Sequence, residues 1–187
     1  MSEPEKSDRN PAHELAEQCS AIATANGFDK ATWATLPLKL VFALGELDEA
    51  VCFVYGRETD PLSEELADTT IRLLAVMHDL WGDAWTNRIP AHNTTSWQRI
   101  VTTATAPHRR FQPIEVILRW AERRIYQAVE AWRHEHQDDV RGHLEYALYE
   151  LWYISVTLHI DLAGAVSAKC TKNRSRPHLH GKARSEG

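Results

Sequence analysis

The sequence predicts an all-α protein. Apolar residues recur at helical spacing along most of the chain, proline and glycine fall where helices would start and stop, and no stretch alternates with the period of a strand. The first ten residues, MSEPEKSDRN, read as a disordered polar tail. An amphipathic helix is expected over about 12–26, ended by Gly27-Phe28, followed by the loop FDKATWATLP. Pro37 suits the first turn of a second helix that runs to about Tyr55, with Gly56 as its stop. Asp60-Pro61 reads as an N-cap followed by proline at the first helical position, opening a helix to about Trp81.

Residues 83–112 are rich in Thr, Asn and Pro and lack sustained periodicity, apart from one short helix expected around Trp97 to Thr102. Helices are expected again over about Pro113 to His134 and Asp138 to Ile160. A shorter one should start at Asp161, a suitable N-cap, and end near Lys172, before a loose basic tail at 176–187.

The 187 residues suffice for one compact domain or two small fused units, and 43% of them are hydrophobic, enough for a core. The net charge of −5 disfavours a non-specific binder of nucleic-acid polymers, which needs a positive surface. It leaves phosphate-handling enzymes open, because a bound metal supplies positive charge locally. Cys19, Cys52 and Cys170 make no C-x-x-C pair and no disulfide framework, as suits a reducing compartment. The N-terminus lacks a signal-peptide core, and no apolar run approaches the roughly 18 residues of a membrane span. The expectation is a cytoplasmic protein without a membrane partner.

The chemistry-bearing feature is a set of paired acids. Glu46 and Glu49 are three apart on one helix, and Glu65 and Asp68 repeat that spacing on the next. A short link favours antiparallel packing, which brings the pairs together. Two unit charges about 4 Å apart repel by roughly 4 kcal/mol at an effective dielectric near 20, so four acids call for a cation. Hard oxygen ligands select magnesium, or manganese, over zinc or copper. A Glu-x-x-Glu pair alone is usually a solvated face. Here Phe42, Glu46, Glu49 and Phe53 form one stripe, and Leu40, Leu44, Leu47, Val51 and Val54 form the opposite core stripe. The acids are therefore expected in a cleft flanked by aromatics. A di-iron bundle would need Glu-x-x-His, which does not occur. His134-Glu135-His136 cannot chelate well from adjacent helical positions, and the 8 glycines form no phosphate loop.

The motifs GELDEA and EELADTTIRLL, with the C-terminal stretch DLAGAVSAKCTKNRSRPHLHGK, resemble the MazG-like all-α nucleoside triphosphate pyrophosphohydrolases, including their dUTPase- and dCTPase-type members, over roughly residues 13–182. The resemblance implies a helical bundle that cleaves a nucleoside triphosphate to monophosphate and pyrophosphate with magnesium. Its use would be house-cleaning or control of a nucleotide pool. It implies metal ligation by Glu46, Glu49, Glu65 and Asp68, with Glu49 steering the attacking water. Lys169 and Asn173 become phosphate- and sugar-contacting groups, assisted by Arg174. Lys39 is a further phosphate candidate, against the plain reading of a surface lysine. Phe28, Trp33 and Phe53 are candidates for base stacking, whereas Trp81, Trp120, Trp132 and Trp152 are assigned to packing. The family's extra acid before Glu-x-x-Glu is missing, since Phe42 and Ala43 stand there, which leaves the number of metals open.

The C-terminal motif lies some eighty residues later than the family's pattern puts it, and the intervening residues read as a worn second copy. Aligning Asp83 with Asp161 puts Asp68 on Tyr146 and Glu65 on His143, and aligning Glu49 with Glu130 puts Glu46 on Gln127. Lys169 and Asn173 in turn fall opposite Ala91 and Thr95. One domain over 11–175 is therefore expected, built as two pseudo-repeated helical hairpins. The first, at 11–90, carries the metal motif; 91–112 is the connector; the second, at 113–175, is degenerate but completes the pocket. Such a chain is a monomer that imitates a dimer, or a homodimer. The alternatives are a non-catalytic module that holds nucleotide or a partner, and a structural helical protein with a fortuitous acid cluster.

Overall fold

A computed structural model describes residues 11–56, 61–82 and 112–175, and every regular element within them is helical. In chain order these are α1 (Pro11–Ala25), α2 (Leu36–Val54), α3 (Leu62–Trp81), α4 (Ile114–Arg133), α5 (Gln137–Thr157) and α6 (Leu162–Ser175). The terminal tails expected at 1–10 and 176–187, the short helix around Trp97 and the connector up to residue 111 lie outside the described residues.

The helix ends follow from local chemistry. α2 has Pro37 in its first turn, and Gly56, at φ 68°, closes it by donating its N–H to the Phe53 carbonyl. α3 starts one residue later than expected. Pro61 is its N-cap rather than its first helical residue, with extended dihedrals of φ −60° and ψ 138°. Its carbonyl accepts the Glu64 N–H at 2.8 Å, so the helical bonds begin beyond the ring. Asp161 caps α6 as expected, taking the Gly164 N–H on Oδ1 at 2.9 Å.

α5 stops at Thr157, short of the expected Ile160. His159 adopts φ 57°, and the Ile160 N–H returns to the Ser155 carbonyl at 2.8 Å while His159 N–H reaches Val156. This is a Schellman closure with histidine where glycine is usual. α4 ends the same way, with Glu135 at φ 58°. The periodicity is blind to these closures, because neither residue is a glycine.

α3 is the hub. It packs against α1, α2, α5 and α6, while α4 pairs with α5 and also touches α2. Leu66, Leu73, Leu74 and Met77 of α3 are fully buried against Leu40 and Leu47 of α2 and Ile117, Leu144 and Leu151 from the second half, in one continuous core. Each such side chain contributes about 1.5–3 kcal/mol of burial, and their shared core fixes how α2 and α3 face each other. The four tryptophans assigned to packing do pack: Trp152 is buried, and Trp81, Trp120 and Trp132 lie against the core.

Two further ties hold α1 and the following loop onto α3. Both run to Asp79, whose Oδ1 accepts the Ser20 hydroxyl and whose Oδ2 accepts the Ala31 N–H at 2.7 Å. Across the top of this layer, Cys19 of α1 and Cys170 of α6 bury their sulfurs 3.8 Å apart. Among the described residues no single helix is long and apolar enough to cross a membrane.

Candidate functional site

The facing of α2 and α3 brings three of the four acids together. Ligand oxygens of Glu46, Glu49 and Glu65 lie within 4.8 Å of one another. Glu46 is half-buried, Glu49 exposed, and Glu65 only 3% exposed. Asp68, one turn beyond Glu65, is half-buried and sits beside this trio rather than within it.

Each acid is compensated in its own way. Glu46 takes both Nε and Nη2 of Arg72 on a single oxygen, Oε1, the Nε contact measuring 2.7 Å. Asp68 Oδ2 pairs with the Lys169 ammonium at 2.8 Å, and Lys169 also reaches Glu64 at 3.0 Å. Glu65 makes no salt bridge among the described residues, although the charge of Lys169 pulls weakly against its shift. Burial, then a carboxyl–carboxyl hydrogen bond to Glu49 and the charges of Glu49 and Asp68, push its pKa up to about 7. Its Oε2 is buried without a hydrogen-bond partner. Burial also raises Asp68, against the opposing pull of Lys169. Glu64 is lowered by its hydrogen bond to Lys169 and by the charges of Lys169 and Lys172. Burial works against the Lys169 ammonium, but the bonds to Asp68 and Glu64 prevail and its pKa rises.

These residues fit a hard divalent cation. The donors are all carboxylate oxygens, three side chains converge, and a buried, orphaned Glu65 Oε2 awaits a partner that protein atoms do not provide. Glu46, Glu49 and Glu65 would hold the ion, with Asp68 next to them.

Beside the acids opens a cavity of about 430 Å³, in the range of roughly 300–1,000 Å³ typical of small-molecule sites. Its polar wall carries Glu46, Asp68, Arg72, Lys39, Lys169 and Asn173, and its apolar wall includes Ile22, Phe28, Phe42, Ile71 and Val76. Residues from α2, α3 and α6 thus meet around one space although more than a hundred positions separate Asp68 from Lys169. Asn173 is held through its carbonyl by the Asn26 side-chain amide at 3.3 Å.

The other candidates fall as follows. Lys39 lines the cavity, but its ammonium donates to the Asp29 carbonyl at 2.6 Å. Arg174 is exposed and does not line it; its charge helps the Cys19 hydrogen bond lower the Cys170 thiol. Among the aromatics, Phe28 lines the cavity, whereas Trp33 and Phe53 lie against the core, and the Trp33 carbonyl accepts the Trp132 indole N–H at 2.7 Å. The aromatic bracketing of the acid stripe is one-sided: Phe42 stands exposed at the cavity rim, and Phe53 turns inward. His134 and His136 are exposed, and each pairs with a neighbouring acid, Glu130 and Asp139 respectively.

The sequence reasoning missed Arg72, Asp79 and Glu64. Arg72 follows Asp68 by one helical turn and so shares its face, a spacing that could have flagged it. Asp79 follows Arg72 by two turns on that face.

Comparisons with protein families, with curated proteins and with solved structures return no match to this chain.

Proposed function

We propose that the chain is a divalent-metal-dependent nucleoside triphosphate pyrophosphohydrolase of the MazG-like kind. The observation that carries this reading is the junction of a three-carboxylate cluster, in which the buried Glu65 Oε2 has no partner among the described residues, with a cavity of mixed polarity lined by Lys169 and Asn173. Glu46, Glu49 and Glu65 hold magnesium, or manganese, in this reading. The ion supplies charge neutralisation for phosphate oxygens and lowers the pKa of a bound water.

The chain's own groups do the rest. Glu49, the most exposed acid of the trio, is the one assigned to steer the attacking water, and it would have to give up its hydrogen bond to Glu65 to do so. Lys169, already an ammonium held by two carboxylates, meets phosphate oxygens as a positioned cation. Phe28 and the apolar wall receive the base and exclude water from one side.

The second half supports the duplicated-bundle reading. α4 and α5 form a hairpin in which Arg124 lies over the Tyr146 ring at 4.8 Å, bonds Gln127, and with burial lowers the His143 pKa. Gln127, His143 and Tyr146 are the positions aligned with Glu46, Glu65 and Asp68. In the duplicated reading, these neighbours on the α4–α5 hairpin stand where the first half carries its acids.

A second reading, a module that binds nucleotide without turnover, is favoured by one fact: Glu46 and Asp68 already carry protein cations. A panel of nucleoside triphosphates with magnesium separates the two. Pyrophosphate release abolished by Glu46→Gln and by Asp68→Asn is expected of the enzyme. Release unaffected by either substitution sinks the site, and metal-dependent binding without release selects the binding module.

A further inference from the structure

We propose that Arg72 is the phosphate-gripping residue of this cavity, held in reserve on Glu46 until metal and triphosphate take their places. The inference rests on the pyrophosphohydrolase reading and adds to it a residue that neither the sequence motifs nor the acid cluster assigns.

Arg72 is tied to a single oxygen. Two of its nitrogens converge on one oxygen, Glu46 Oε1, instead of forming the parallel fork that guanidinium and carboxylate prefer. Nη1 has no protein partner among the described residues, and the other Glu46 oxygen carries no hydrogen bond from Arg72. One face of the guanidinium rests 5.6 Å from the centre of the Phe42 ring, which fixes its plane at the cavity rim. The side chain lines the cavity and is 35% exposed, so it can turn inward without unpacking the core.

Charge dictates the exchange. Glu46 belongs to the trio that would hold the cation, so Arg72 and the metal compete for one carboxylate. A metal on Glu46 withdraws the anion that holds Arg72. The freed guanidinium then faces a cavity whose other fixed cation, Lys169, is already shared with Asp68 and Glu64 and offers a phosphate only a single point contact. Lys39 is spent on the Asp29 carbonyl. Arg72 is thus the cation best placed to offer two parallel donors to a phosphate chain, which lysine cannot do.

The test compares wild type with Arg72→Met, Arg72→Lys and, as a control far from the cavity, Arg133→Met. Two ligands are titrated calorimetrically: manganese ion alone, and inorganic tripolyphosphate with magnesium present. Arg72→Met should bind manganese alone several-fold tighter, since its competitor is gone, and tripolyphosphate at least tenfold weaker. Arg72→Lys should keep manganese affinity near wild type yet lose most of the tripolyphosphate affinity. Arg133→Met should change neither. Opposite signs for the two ligands exclude a merely structural role, which would weaken both. Weakening of both by a similar factor, or unchanged tripolyphosphate binding in both variants, overturns the proposal. Should Arg72→Met not fold, by circular dichroism, the Arg72→Lys pair of affinities decides alone. A wild type that binds manganese and tripolyphosphate indifferently to residue 72 defeats this inference but not the parent reading. A wild type that binds neither defeats both.

Discussion

Glu65 keeps a proton at a pH where a carboxyl in water would have lost it. Its pKa rises from 4.5 to about 7, chiefly through burial. Between those values the folded state binds more protons than the unfolded one, so this residue's contribution to stability falls as pH rises through that window. Thermal melts without divalent ions should therefore show a declining midpoint from about pH 4.5 to 7, and Glu65→Gln should flatten that slope. Glu64 acts oppositely and lower down. Its pKa is depressed by Lys169, so its contribution is present above the ordinary carboxyl range and lost as pH falls. Metal binding must expel the Glu65 proton. Manganese affinity should thus climb by up to about tenfold per pH unit below pH 7 and level off above it. An affinity independent of pH would remove Glu65 from the ligand set.

The acids were legible at this scale because their three-residue spacing repeats on consecutive helices. The arginine that pairs with Glu46 was not, and Lys169 was drawn to the site only by the family resemblance. A salt bridge such as Lys169–Asp68 joins α6 to α3 across a hundred positions, and no local pattern records it. Trp33 shows the converse limit: its loop position suggested an exposed stacking ring, but a loop residue beside α4 can surrender its carbonyl to Trp132 and pack inward.

At the scale of the helix, boundaries were read best where proline or glycine marks them, as at Pro37 and Gly56. They were read worst where a side-chain-bearing residue takes the left-handed conformation. Glu135 and His159 do so at φ 58° and φ 57°. The left-handed conformation costs an L-residue roughly 1–2 kcal/mol, part of which glycine returns through its freer unfolded chain. His159→Gly and Glu135→Gly should each stabilise by about 0.5–1 kcal/mol in urea melts with an unchanged m-value. In the interior of α5 the opposite substitution applies. A Cβ added at Gly142 meets nothing within 4 Å, so Gly142→Ala should gain about 0.5–1 kcal/mol.

Across the whole molecule, the cavity depends on α1 and its loop staying on α3, and Asp79 is the tie. Asp79→Ala leaves the Ala31 N–H and the Ser20 hydroxyl without their shared acceptor, at a cost of about 1–3 kcal/mol. Because Ile22, Phe28 and Ala31 line the cavity, ligand affinity should fall with it, more than core burial alone predicts. A melt that drops while tripolyphosphate affinity stays constant would detach Asp79 from the site. The helical class of the described residues was readable from periodicity along most of the chain. The arrangement around α3 was not, since it is set by which buried faces meet rather than by any single segment.

The Cys19–Cys170 contact has a consequence for how the chain is made. It joins helices separated by 151 positions, and α6 also supplies Lys169 and Asn173 to the cavity. During synthesis α1, α2 and α3 emerge before α6, so until α6 is made Asp68 lacks its lysine and the cavity lacks one wall. The cavity is therefore complete only once α6, the last described helix to emerge, packs against α1 and α3.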